Sequence, residues 1–358
     1  MEQMNELGFY TLPGAPKSPQ DLLQEVRKGE ELGLGSCFIS ERFNIKEAVT
    51  LSGAVGAVST NLGIATAATN HNTRHPLVTA SYATTMHRLT GGRFCLGIGR
   101  GIAPLFAAYG MPKITTAQME DFAQVMKRLF AGEVILGHDG PLGKYPVLAL
   151  DPSFSEDIPL GITAFGHNTL ELAGRAFDCV ILHTFFSDET TRRCVKTVKD
   201  AAERAGRDPS KVRVWSCFAT IGDHIAPDLR LKKTVGRLAT YLQGYGDLIV
   251  STNHWDPQVL QRFRDDDFVK SFRGALDGAA STEQLEHIAS LIPDEWLDSA
   301  SMGSPEQCVQ SIRQQFDLGV DGVILHGATP DELEPIILEY RRTRQAELFK
   351  HLSANPGG

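Results

Sequence analysis

The stretch LTGGRFCLGIGRG, Leu89 to Gly101, carries the strongest chemical signal in the chain. An apolar run enters alternating glycines, Gly97, Gly99 and Gly101, with Arg100 between the last two. Glycines at alternate positions after a strand expose backbone N–H groups and admit a bulky anion, and phosphate is the usual one. A tight turn is the plainer account of the same pattern. The stretch is not the G-x-G-x-x-G dinucleotide fingerprint: Pro104 intrudes where a helix should begin. No G-x-x-x-x-G-K-[ST] loop occurs, which argues against a nucleoside triphosphatase.

Other polar residues stand where apolar runs end. They are Ser40, Glu41 and Arg42; Thr69, Asn70 and His71; Thr163 to His167; His183 and Thr184; and His326. Singly each has a bland account, since Glu41 and Arg42 could form a simple ion pair and a histidine after a strand is often just hydrogen-bonded. Their joint occurrence carries more weight. His71 and His75 in HNTRH have the spacing of a helical metal pair, but Asn72 and Pro76 mark a loop, and the acidic run Asp265 to Asp267 reads as a solvated face. No metal is assigned.

These residues need elements to bring them together. Eight short apolar runs read as strands: Leu7–Leu12, Ser36–Ser40, Leu62–Ala68, Arg93–Gly99, Pro159–Phe165, Cys179–His183, Val212–Thr220 and Gly322–His326. Amphipathic stretches between them predict helices at about 18–33, 46–59, 76–89, 115–131, 168–176, 188–205, 304–318 and 330–350. SPQD at Ser18, SPEQ at Ser304 and TPDE at Thr329 each offer a capping hydroxyl, a proline at the first helical position and a polar side chain three on. The order is that of a (β/α)8 TIM barrel, whose working residues project from the C-terminal ends of the strands. Two segments break the rhythm and read as insertions in one domain spanning 1–358. They are a hairpin-like stretch at about 132–157 and a mixed one at about 225–303, and both are expected to shape the site's mouth.

A length of 358 residues suits one large barrel, and 42% hydrophobic with 22% charged residues is a globular composition. The net charge of −8 disfavours nucleic acid or an anionic membrane as partner. No apolar run nears the roughly 20 residues of a membrane span, and the N-terminus lacks a signal-peptide pattern, so a cytoplasmic location is expected. The six cysteines are dispersed, without a C-x-x-C pair, and read as small buried hydrophobes. Self-association into a homo-oligomer is left open.

Four blocks give the chain a family resemblance: GEELGLGSCFISERF, LGIATAATNHNTRHPLVTASYATTMHRLTGGRFCLGIGRG, GITAFGHNTLELAGRAFDCVIL and GSPEQCVQSIRQQFDLGVDGVIL. In this order they resemble the luciferase-like superfamily of flavin and deazaflavin oxidoreductases. The resemblance implies a barrel that binds coenzyme F420 for hydride transfer, or FMN for oxygen chemistry. In the deazaflavin branch a cis peptide at the end of strand three presses on the coenzyme ring; here it would join Ala67 to Ala68, beside Thr69. The phosphate loops would be Gly99, Arg100 and Gly101, and Thr163, Ala164, Phe165 and Gly166. Where many deazaflavin members carry an acidic residue followed by histidine, this chain has Glu41 followed by Arg42. The proton donor would then be His71, Glu41 or His183, and Arg42 would hold an anionic substrate or the coenzyme's acidic tail.

The expected activity is thus an F420-dependent oxidoreductase acting on a small organic substrate. The alternatives are an FMN-dependent monooxygenase of the same fold and a flavin-binding barrel without turnover. Trp255 and Trp296 either line the substrate pocket or pack within the insertion.

Overall fold

All eight apolar runs form strands, because a parallel strand buried on both faces must be apolar along its length. The computed structural model describes residues 2–43 and 46–358. In chain order its strands are β1 (Met4–Tyr10), β2 (Leu34–Ile39), β3 (Gly63–Thr66), β4 (Phe94–Ile98), β5 (Ile135–Gly140), β6 (Gly143–Leu148), β7 (Leu160–Ala164), β8 (Cys179–Leu182), β9 (Arg213–Gly222), β10 (Ser301–Gly303) and β11 (Gly322–His326). The parallel order β1-β2-β3-β4-β7-β8-β9-β11 returns from β11 to β1 and closes the barrel. The short β10 adds to the far end of β9.

Helices follow the strands at Asp21–Glu31, Ala48–Val58, Pro76–Leu89, Thr116–Phe130, His167–Ala176, Asp188–Arg204, Pro305–Asp317 and Pro330–Arg342. Ser304 and Thr329 form full capping boxes with Gln307 and Glu332. Ser18 does not cap a helix. Its Oγ accepts the Gln20 N–H at 3.1 Å in a turn, and the helix begins only at Asp21. The last helix stops at Arg342 rather than running to 350; there the Thr343 hydroxyl donates to the Glu339 carbonyl, a local bond that competes with helix propagation.

Inside the barrel Phe38, Ala65, Cys95, Cys179, Trp215 and Ile324 are buried together. All six cysteines are buried free thiols. The C-terminal segment closes the floor: the Trp215 indole donates to the Pro356 carbonyl at 2.8 Å and Arg213 donates to the Asn355 carbonyl at 3.0 Å.

The two insertions differ. The first forms the antiparallel β5–β6 hairpin and packs on helix Thr116–Phe130 through Asp121, which meets His138 at 3.1 Å and accepts the Leu142 N–H at 2.8 Å. It contributes nothing to the central cavity, contrary to expectation, because that helix lies on the barrel's outside. The second folds into short helices around a separate apolar cluster that includes Leu242, Phe263, Leu285 and Trp296. Its helix Arg237–Asn253 leans over the strand ends and bends at Tyr245, where φ is −157° and ψ is 41°.

Candidate active site

A cavity of about 760 Å³ opens at the C-terminal ends of the barrel strands, roofed on one side by Tyr241, Gly244, Tyr245 and Leu248 of the second insertion. Among the described residues its walls carry four basic side chains, Arg42, Lys46, Arg100 and Lys113, against one carboxylate, Glu41. Such a wall on a chain of net charge −8 attracts anions.

Glu41 is a clamp. Its carboxylate accepts from Arg74 at 2.9 Å, Thr69 Oγ1 at 2.8 Å, Asn70 Nδ2 at 3.0 Å and the Ala48 N–H at 3.3 Å, with its side chain 4% exposed. These bonds tie the segment after β3 to the start of helix Ala48–Val58. Within that segment the Ala67–Ala68 peptide is cis, as the resemblance implied. Tyr10 donates to the Ala67 carbonyl at 2.9 Å and the Glu41 N–H to the Ala68 carbonyl at 3.3 Å. Ala67, Ala68, Thr69 and Asn70 all face the cavity.

The glycine stretch works differently from the expected cradle. The Gly97 N–H donates to Thr66 Oγ1 and the Gly99 N–H to the Thr69 carbonyl, both at 2.8 Å, so neither is free for an anion. A Cβ at Gly99 would meet Thr163 Oγ1 at 2.4 Å and the Ala68 Cβ at 3.0 Å, so its smallness lets β4, β7 and the Ala67–Ala68 segment converge. Gly101, at φ +65°, turns the chain into a short helix, Ala103–Ala108, that sequence reasoning missed. Pro104 sits in its first turn, where a missing N–H costs nothing. Anion capacity lies one step further on. Arg100 is braced by Thr116 Oγ1 at 2.6 Å, the Ile114 carbonyl at 3.0 Å and Thr169 Oγ1 at 3.3 Å. The neighbouring helix His167–Ala176 has no side-chain cap, and Gly166 at its N-cap leaves open space where a Cβ would stand. Thr163, Ala164 and Phe165 line the cavity, while Gly166 stands just outside its lining.

Facing this edge is an aromatic wall. His183 packs on Phe165 with centroids 4.4 Å apart and on Tyr241 at 4.9 Å. Its Nδ1 lies 2.8 Å from the Thr184 carbonyl and must donate to it, so Nε2 accepts the Tyr245 hydroxyl at 2.9 Å. Burial lowers its pKa from 6.5 to about 4. His71 does not line the cavity; its ring stacks on Phe122 behind the wall, and burial lowers its pKa too. His75 caps helix Pro76–Leu89 through Nδ1, and among the described residues no cluster is placed to hold a metal. Trp255 and Trp296 stack on each other at 4.4 Å and 9° inside the insertion, away from the cavity.

Three residues escaped sequence reasoning. Tyr241 and Tyr245 sit in an insertion whose packing has no period to read. Lys46 is buried and donates to the carbonyls of Thr11 and Leu12. Burial, then the nearby Arg42 cation, lowers its pKa from 10.5 to about 7. The neighbouring Glu25, buried and accepting the Leu12 N–H at 2.6 Å, is raised from 4.5 to about 7 by the same loss of water. Arg42 itself lines the mouth and donates to the Gly14 carbonyl at 2.8 Å.

Comparison with known proteins places this geometry. The chain is 26% identical over 307 residues to the 5,10-methylenetetrahydromethanopterin reductase of Methanolobus tindarius, covering 84% of this chain and 87% of that one. It is 25% identical over 336 residues to the F420-dependent glucose-6-phosphate dehydrogenase of Kribbella flavida, covering 88% and 90%. The solved coenzyme F420 dependent tetrahydromethanopterin reductase of Methanopyrus kandleri superposes with a TM-score of 0.78 at 18% identity, over 95% of this chain and 98% of that one. The luciferase-like monooxygenase family profile matches residues 6–322, and the chain belongs to that family.

Proposed function

We propose that this chain is a coenzyme F420-dependent oxidoreductase that moves a hydride between the deazaflavin and a small organic substrate. The observation that carries this reading is the charge of the cavity. Arg42, Arg100 and Lys113, with Lys46 drawn toward neutrality by burial, face a single carboxylate that Arg74 already neutralises, which suits a coenzyme with a phosphate and an acidic tail. The relatives named as F420-dependent support the same choice.

The residues fit the group. Arg100 and the uncapped helix start at Gly166 would hold the phosphate, with Gly101 shaping the approach. Ala67, Ala68 and Thr69 would back the ring, with Gly99, Thr163, Ala164 and Phe165 forming its edge, and Arg42 would meet an acidic tail or an anionic substrate. When bound, F420 supplies or accepts the hydride. The chain's own work is to orient and to dry the site. Glu41 fixes the segment that carries Ala67 and Ala68, and His183 with Tyr245 and Tyr241 forms a wall that keeps water from the reacting carbon. Glu41 and His183, expected from sequence as proton donors, are read here as holding structure, because every polar atom they offer is already engaged.

Titration of the purified protein with F420 and with FMN tests the proposal. Saturable F420 binding with a weaker response to FMN is expected. Tight FMN binding with no affinity for F420 would overturn the reading in favour of an FMN monooxygenase, and binding without turnover of any substrate would favour a non-catalytic barrel.

A further inference from the structure

We propose that His326 holds the reacting oxygen of the substrate, donating a hydrogen bond from Nε2 that polarises the carbonyl as the hydride arrives. The role rests on the F420 reading above. His326 ends β11 and lines the cavity. Its ring meets Tyr10 edge-on, with centroids 5.4 Å apart at 89°, and Tyr10 in turn bonds the Ala67 carbonyl. The imidazole therefore stands one side chain away from the Ala67–Ala68 segment.

Several polar groups of the wall near it are already engaged. Glu41 accepts four donors, both His183 nitrogens are bonded, the Tyr245 hydroxyl serves His183, and the Lys46 ammonium serves two carbonyls. His326 differs from these: among the described residues its buried Nδ1 has no partner. A buried N–H without an acceptor is rarer in folded proteins than a bare lone pair, so the ring proton belongs on Nε2. The charged and titratable groups around the ring are Arg237 from the second insertion, His183 after β8, Lys46 and Arg42 after β2, and Tyr10 in β1, which itself faces Cys217 in β9 and Tyr241. Burial first, then Arg237 and the other cations, holds the pKa of His326 well below 6.5, so the ring stays neutral at neutral pH.

A neutral imidazole beside cations is an electrophile rather than a base. In the reductive direction the hydride and its electron pair add to the carbonyl carbon, and the C=O π pair moves onto oxygen. The Nε2–H stabilises that charge, and a solvent water reaching the oxygen from the open mouth, on the side away from the aromatic wall, supplies the proton that completes the alcohol and leaves as hydroxide. The oxidative direction reverses each step, with the oxidised deazaflavin taking the hydride.

The test uses the full chain and two variants, His326→Gln, which keeps an N–H donor, and His326→Leu, which has none. Long-range ¹H–¹⁵N spectra of the histidine-labelled protein without coenzyme, assigned by loss of the signal in His326→Gln, should show a neutral Nε2–H tautomer from about pH 8 down to about pH 5.5. An imidazolium or an Nδ1–H tautomer in that range overturns the proposal. Both variants should bind F420 within about threefold of the parent, while His326→Leu loses on the order of 100-fold in the reduction of acetone or cyclohexanone by reduced F420 and His326→Gln loses less. Equal rates in the parent and His326→Leu, or a loss confined to F420 affinity, overturn it. Binding of FMN in place of F420 would overturn the coenzyme reading and this role with it, whereas F420 binding without reduction of either ketone would overturn the carbonyl role alone.

Discussion

Replacing Glu41 by glutamine separates a structural clamp from a proton donor. Glutamine keeps the size of the side chain but loses the charge, and its NH2 would face donors on Arg74, Thr69 and Asn70 that the carboxylate now accepts. Removing one partner of a buried ion pair costs about 3–5 kcal/mol. Arg74 keeps Glu47, whose side chain is 46% exposed, so the lower end applies, about 3 kcal/mol. At roughly 1.3 °C per kcal/mol for a chain of this length, Glu41→Gln should melt about 4 °C below the parent in calorimetry. F420 affinity should fall roughly tenfold as the Thr69–Asn70 segment loosens, with the pH dependence of turnover unchanged. A variant that melts within about 1 °C of the parent yet loses about 100-fold in turnover would refute this account and make Glu41 the proton donor.

Gly99→Ala should cost about 1–3 kcal/mol and weaken coenzyme binding, because its Cβ would meet Thr163 Oγ1 at 2.4 Å. Adding Thr163→Ala should recover most of the stability in urea unfolding; no recovery would mean that the glycine serves the ligand rather than the packing. Lys46 should give the protein an alkaline gain in stability. Its folded pKa of about 7 lies below the unfolded 10.5, so the unfolded chain binds the extra proton between those values and stability rises with pH across that window. The rise should amount to about 2 kcal/mol between pH 7 and 9. Lys46→Met should abolish it, and a parent whose stability changes no more than the variant's over that range would show that Lys46 is not desolvated. Glu25, raised to about 7, acts with the opposite slope on the acid side, so the pair should leave a stability minimum near pH 7.

The sequence by itself determined the barrel and the rim. Parallel strands such as CVIL, and GVILH up to its last residue, must be apolar, and caps such as Ser304 and Thr329 act within four residues, so both are written locally. The same pattern put Glu41, Thr69, Gly99, His183 and His326 at strand ends, where the structure gathers them. What each one does there was decided only in three dimensions. Glu41 became a clamp through Arg74, and Gly99 became a packing contact through Thr163. His71 turned behind the wall onto Phe122, and His183 was paired by Tyr245 from an insertion without period. Buried polar groups must find partners wherever the fold supplies them. Those partners lie tens of residues away, so a rim residue's spacing fixes its position, whereas its freedom to do chemistry depends on which neighbours have already claimed its hydrogen bonds.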